Sequence, residues 1–288
     1  MDQVWFDLWR TAAAIGIAKS LYTPIMNVHP LVGNLSGNSE MSRYISGLKI
    51  IPSKLKSLYY KGGYPALFKG NLPHVLNNIA FPCFAFAFKE LVRSGFYVAN
   101  PYGKVRTSLF NNLAIGGVAG ILATTIYHPI FVAEALMLSE RKTRPEAPYS
   151  KKVSEALKEV FIRKGLKGFY AGFGVSLITR IFQYSFYFGI YDTFRHIGRG
   201  RSVFSNYIVA HIASGISFLA YRPFDLLIQN QLLGSGNILN VKTNLEQAYK
   251  RDGIKGLYKP SFPLFTRNLI VPPLVLVLFD EFRKLTLP

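Results

Sequence analysis

Residues 163–172 read RKGLKGFYAG, and the phrase returns as KGGYPALFKG at 61–70 and RDGIKGLYKP at 251–260. The shared pattern is basic, any, Gly, any, any, small, apolar, aromatic, any, Gly, with Pro260 replacing the last glycine of the third copy. Gly63, Gly165 and Gly253 stand 102 and 88 residues apart. Upstream of each copy lies an apolar stretch that ends in proline: TAAAIGIAKSLYT before Pro24, GGVAGILATTIYH before Pro129, HIASGISFLAYR before Pro223. Downstream, a third marker closes each unit: FKELVR at 88–93, YDTFR at 191–195 and FDEFR at 279–283. Three markers recurring in order three times define tandem repeats. Their limits are approximately 1–100, 101–200 and 201–288, within a single membrane domain spanning 1–288. A proline inside a helix removes a backbone hydrogen bond and kinks it. The small residues before each proline (Ala12, Gly16; Gly116, Gly120; Ala213, Gly215) are expected to let neighbouring helices approach closely.

The chain of 288 residues is half apolar, 15% aromatic, and carries a net charge of +19. A soluble domain this basic would point to nucleic acid. The distribution of charge excludes that reading: stretches near 11–33, 72–88, 108–137, 174–191, 206–232 and 263–279 carry almost none, and each is about long enough to cross roughly 30 Å of hydrocarbon. Three longer loops, 34–71, 138–171 and 233–259, hold 20 of the 34 Lys and Arg. Only Lys19, Arg180, Arg222 and Arg267 fall within or at the ends of the spans. By the positive-inside rule the three basic loops share one face and both termini the other. The single cysteine, Cys83, permits no disulfide within the chain and reads as a small apolar residue of its span. The opening MDQVWFDLWR carries Asp2 and Asp7 without an Arg-rich amphipathic pattern, so no transit or signal peptide is expected. Phosphate-binding glycine loops, H-E-x-x-H and spaced Cys/His sets are absent from the sequence. No enzyme, resident cofactor, catalytic residue or metal site is expected.

The prolines, the Gly/aromatic loop phrases and the aromatic–acidic–basic closing motifs together resemble the mitochondrial carrier family, over essentially the whole chain. Within it the chain looks most like the ADP/ATP carriers, through GNLPHVLNNI with FAFKE at 70–90, GFGVS with YFGIYDT at 172–193, LVLVLFDE at 274–281, and Lys19 five residues before Pro24. The resemblance implies an all-α fold: six transmembrane helices in pseudo-threefold arrangement, with short helices on the matrix side. It implies residence in the mitochondrial inner membrane with both termini toward the intermembrane space, a topology the charge count gives independently.

Family carriers close each mouth with a ring of ion pairs between neighbouring helices. At the intermembrane end this sequence keeps all three acids and bases: Glu90 with Arg93, Asp192 with Arg195, Asp280 with Arg283. Charges are common at the end of any interfacial helix, but three at equivalent repeat positions mark a gate. At the matrix end the acid positions, two after each proline, hold Met26, Phe131 and Asp225; the basic positions, five after, hold His29, Glu134 and Ile228. His29, Glu134 and Asp225 are the remnants. His29 is the expected partner of Asp225, and the cyclic rule sets Glu134 against Met26. A buried charge that loses its partner costs about 3–5 kcal/mol, so a matrix-closed state is expected to be poorly stabilised.

Lys19, Arg180 and Arg267 are the cavity candidates, because ionisable residues within a span cost roughly 2.5–3.5 kcal/mol and are functional by default. Asn77 and Gln183 occupy positions where the resemblance implies a basic and an aromatic nucleotide contact. The stretch after Pro223, PFDLLIQNQLL, has no arginine. Nucleotide exchange is therefore not expected. Gly70 and Gly172 close the FKG and YAG phrases, which resemble cardiolipin sites at helix N-termini. Bound cardiolipin is expected. Two functions follow. In the first, the fold survives without the transport cycle, as a structural subunit among protein partners of a larger inner-membrane assembly. In the second, the protein transports a small anion other than ADP or ATP. The eroded matrix gate favours the first.

Overall fold

The computed structural model describes residues 2–32, 40–68, 71–99, 108–143, 153–195, 202–233 and 262–286, with the isolated positions 246, 249, 250, 253 and 258. Among these every regular element is helical: α1 (Asp2–Val32), α2 (Glu40–Leu67), α3 (Asn71–Ala99), α4 (Leu109–Thr143), α5 (Val153–Gly168), α6 (Phe173–Phe194), α7 (Val203–Leu233) and α8 (Phe262–Thr286). The six expected spans are α1, α3, α4, α6, α7 and α8, and α2 and α5 lie in the first two basic loops. Most of the third loop is outside the described residues. The helices overrun their apolar cores because the charged closing motifs continue the α-helical turn instead of ending it.

Gly63, Gly165 and Gly253 adopt φ of 65°, 60° and 64°. That is left-handed backbone, which glycine adopts without the clash a Cβ would bring. At Gly63 and Gly165 it breaks the helical course inside α2 and α5. The invariant glycine of the sequence repeat is thus a conformational requirement made three times.

Only α4 (Leu109–Leu136) and α7 (Val203–Asp225), among the described residues, meet a length-and-hydropathy test for crossing a bilayer. The other four expected spans are long enough, at 22 to 31 residues. Each of the four carries charged residues along its length: Lys19 in α1, Lys89 and Glu90 in α3, Arg180 and Asp192 in α6, Arg267 and Asp280 in α8. Hydrocarbon demands satisfied hydroxyls as well. Thr11, Thr23, Thr124, Thr125, Thr179 and Thr193 each donate to the carbonyl four residues back in their own helix.

The helices pack as two compact units. The first comprises Met1–Ala87, Phe194–Gly215 and Pro260–Pro288; the second Phe88–Thr193 and Ile216–Lys259. In the first, α1 lies against α8 and α2 and buries Thr11, Ala14, Ile15, Ala18 and Tyr22 on one face. Asn71 at the start of α3 ties back to α1: its carbonyl accepts from Thr23 at 2.8 Å, and its amide donates to Ser20 at 2.9 Å. In the second unit α4 and α6 touch backbone to backbone. A Cβ built on Gly116 would stand 2.4 Å from the Tyr184 carbonyl oxygen, and one on Gly120 would stand 2.8 Å from that of Arg180. The expected close approach therefore holds for α4. It is looser at Gly16, whose nearest neighbour is a Val75 methyl at 4.0 Å, and it fails at Gly215, which faces open space. On α7 the residues that approach other helices are Ala210, Ala213 and Ser217, and Gly215 falls on the exposed side.

Candidate gate and solute-binding residues

The closing motifs place their charges on the ends of α3, α6 and α8. Arg93 of α3 pairs with Asp192 of α6, and Arg195, one residue past α6, pairs with Asp280 of α8. Arg93 and Arg195 thus each reach the acid of the next helix that bears a closing motif. Arg93 also lies 3.4 Å from Glu90 on its own helix. Lys89 joins this cluster unannounced: its ammonium is 3.3 Å from both Glu90 and Asp192 and 4.8 Å from the Phe188 ring centroid. With 1% of its surface exposed it is among the most deeply buried side chains. Two cations and two carboxylates make a neutral group, the condition under which burying them is tolerable. The sequence signal was present, since FKELVR has a lysine between its aromatic and its acid.

A second unannounced pair sits on α1, where Arg10 Nη1 lies 2.7 Å from Asp7 Oδ1 with both side chains buried. Its signal is FDLWR at 6–10, the spelling of the closing motifs on a helix where the repeat does not put one.

After the prolines, both acids that remain are satisfied within their own helices. Tyr127 donates its hydroxyl to Glu134 at 2.7 Å across Pro129, and Arg222 pairs with Asp225 at 3.0 Å across Pro223. Arg222 is thus a partner of Asp225 that the sequence pattern did not name; it precedes the proline, outside the positions the ring pattern directs attention to. His29 lies in α1, and its side chain is outside the described residues. The positions that lost their charges are not empty of contact. Phe131, at the acid position of α4, packs against Val175 of α6 and Leu227 and Ile228 of α7. Ile228 is the basic position of α7. Two positions where the resemblance implies an acid and a base therefore share an apolar cluster.

Of the cavity candidates, Lys19 is buried in α1, and Arg180 and Gln183 lie one turn apart on α6, joined by a hydrogen bond of 2.6 Å. Gln183 also accepts the Ser217 hydroxyl of α7 on its backbone carbonyl at 2.7 Å, which fixes that turn of α6. Arg267 is exposed on α8. Asn77 lies in α3 with its side chain outside the described residues. Gly172 takes φ of 73° immediately before α6, and Gly70 is outside the described residues. Next to Gly172, His128, the residue before Pro129, makes a hydrogen bond with the Ala171 carbonyl at 3.1 Å and stacks on Tyr170.

Residues 105–202 match the profile of the family described as mitochondrial carrier protein. An ADP,ATP carrier protein of Parachlorella kessleri is 26% identical to the chain, over 98% of this chain and 85% of the relative. ADP/ATP translocase 4 of Bos taurus is 25% identical, over 97% and 88%. ADP/ATP translocase 2 of Tachyglossus aculeatus aculeatus is 26% identical, over 97% of each chain. Repeated glycines with left-handed backbone, prolines inside the helices and the closing-motif pairs agree with these likenesses: residues 105–202 carry the mitochondrial carrier pattern, and the chain as a whole is similar to ADP/ATP carriers at about a quarter identity.

Proposed function

We propose that this protein is a transporter that moves a small anionic solute other than ADP or ATP across the inner membrane, with the closing-motif end and both termini toward the intermembrane space. The packing of Phe131 against Val175, Leu227 and Ile228 carries the reading. Missing ring charges suggested a carrier fold that had lost its cycle and become a structural subunit. That inference assumed that a gate without ions is a gate without stabilisation. Replacing a buried ion pair by well-packed apolar side chains is often neutral or stabilising by about 1–4 kcal/mol, because no desolvation opposes it. Asp225 is paired with Arg222 and Glu134 accepts the Tyr127 hydroxyl, so each remnant acid has a partner in its own helix. A cycle needs two states of similar free energy, and apolar side chains at 131 and 228 leave no stranded charge to penalise the matrix-closed one.

Lys19, Arg180 and Arg267 are the cations that would attract the solute, with Gln183 holding the Arg180 guanidinium in place. The absence of arginine from PFDLLIQNQLL and the asparagine at 77 argue against a polyphosphate. Cardiolipin at the glycine before α6 fits the left-handed turn there. The test is reconstitution of the full chain alone in liposomes, with uptake of inorganic phosphate, small dicarboxylates and ADP measured separately. Saturable uptake of a small anion, reduced by Arg180→Gln, is the expected result. No saturable uptake of any of them, with stoichiometric co-purification in a large membrane complex, returns the subunit reading.

A further inference from the structure

The first helix carries a fourth copy of the closing motif. FDLWR at 6–10 aligns residue for residue with YDTFR at 191–195 and FDEFR at 279–283: aromatic, acid, two others, base. On α1 the acid and base meet within the helix, at 2.7 Å between Arg10 Nη1 and Asp7 Oδ1. Asp7 is 5% exposed and Arg10 is 3% exposed, unlike the solvated charges of an ordinary helix end. The guanidinium sits 5.6 Å from the Phe6 ring, and the Thr11 hydroxyl donates to the Asp7 carbonyl at 2.6 Å.

Its neighbours place the pair. Trp9 meets Phe282 of α8 at 6.3 Å between centroids, the fourth position of one motif against the fourth of another. One residue away, the Leu8 carbonyl accepts the Cys83 thiol of α3 at 3.8 Å. So the turn that bears Asp7 and Arg10 touches α8 and α3, two of the three helices whose ends carry closing motifs. We propose that Asp7 and Arg10 are a fourth gate pair, a positioning pair on α1 that seats this helix against α3 and α8 and must be disturbed when that end of the protein opens. A charge pair seated between helices in this way resists their separation and so biases the gate.

The proposal rests on the transport reading for its purpose, but its test needs no solute. Cys83, the only cysteine in the sequence, is a native reporter beside the pair. The full chain in mild detergent is treated at room temperature with a water-soluble maleimide, and the labelling rate is measured. Asp7→Asn and Arg10→Gln are each expected to raise that rate at least about tenfold by favouring local opening. The exchange variant Asp7→Arg/Arg10→Asp, which keeps a pair, should return to near the parent rate. Gly120→Ala strains the α4–α6 contact of the other unit and should leave labelling unchanged. Parent-like rates in both single variants overturn the proposal, as does equal acceleration by Gly120→Ala or by the exchange variant. If the singles do not fold, the exchange variant still decides: labelling much faster than the parent sinks the idea. Solute uptake by the parent with unaltered labelling in the variants removes this proposal alone; absent uptake removes the transport reading alone.

Discussion

Gly116→Ala adds one methyl group where α4 and α6 already touch. The new Cβ would lie 2.4 Å from the Tyr184 carbonyl oxygen, 3.1 Å from its carbonyl carbon and 3.2 Å from Ser185 Cα. All three are backbone atoms, so no side chain can rotate away, and α6 must retreat by about 1 Å to reach ordinary contact. A gap of that size forfeits about a quarter to a half of each dispersion well along the seam, which also includes Gly120 and Gly189. Overpacking of this kind costs about 1–3 kcal/mol. Alanine returns up to about 1 kcal/mol through its helix propensity, leaving a net loss of about 1–2 kcal/mol. At about 2–4 °C for each kcal/mol, the melting temperature in detergent should fall by several degrees. Gly215→Ala is the internal control, because its Cβ meets nothing within 4 Å and only the propensity gain remains. That variant should melt at or slightly above the parent. The measurement is thermal unfolding of the purified chain followed by tryptophan fluorescence. If Gly116→Ala melts no lower than Gly215→Ala, the close approach and the reasoning from it are wrong.

Gly165→Ala forces a Cβ into left-handed backbone at φ of 60° and should cost about 1–2 kcal/mol with no steric clash to blame, read by the same melt. Phe131→Asp strands a carboxylate in the apolar contact and should destabilise by about 3 kcal/mol or more; adding Ile228→Arg should recover part of it. A double variant no better than the sum of its singles would remove the cyclic pairing of those positions. Asp192→Asn leaves Lys89 and Arg93 with Glu90 as their one shared carboxylate and should destabilise more than Lys89→Met, which leaves Asp192 with Arg93; a Lys89→Met variant that melts with the parent would deny Lys89 its place in the cluster. In reconstituted liposomes, Arg180→Gln should depress anion uptake while Lys158→Gln, exposed on α5, leaves it unchanged.

Helix positions, the two described loop helices and the repeat were legible because each leaves a periodic or recurrent trace. The glycines at 63, 165 and 253 are the clearest case, a letter in the sequence that turned out to be a backbone angle. The candidate site was legible where charges recur, as at Glu90, Asp192 and Asp280. It was illegible where apolar side chains occupy the expected positions, since Phe131 or Ile228 within a span looks like any other lipid-compatible residue. Their loss of charge was visible; the contact that replaced it was not, because packing partners 44 or more residues away leave no local mark. Arg222 was read as a charge within a span, and its partner was missed because the ring pattern counts forward from the proline. FDLWR escaped for a related reason: it lies on α1, where the repeat does not call for a closing motif. Gly215 went the other way, a glycine at the right spacing on the wrong face of its helix.

The backbone contact between α4 and α6 has a mechanical consequence. Two helices that touch through carbonyls and glycine Cα atoms have no soft layer between them, so sliding or tilting one against the other meets repulsion within a few tenths of an ångström. Arginine behaves differently, because a guanidinium on three methylenes can follow its carboxylate through a substantial displacement before the bond breaks. Movement of α6 therefore carries α4 along as one lever, and the travel is taken up at the Arg93 and Arg195 junctions, where the linkage has reach.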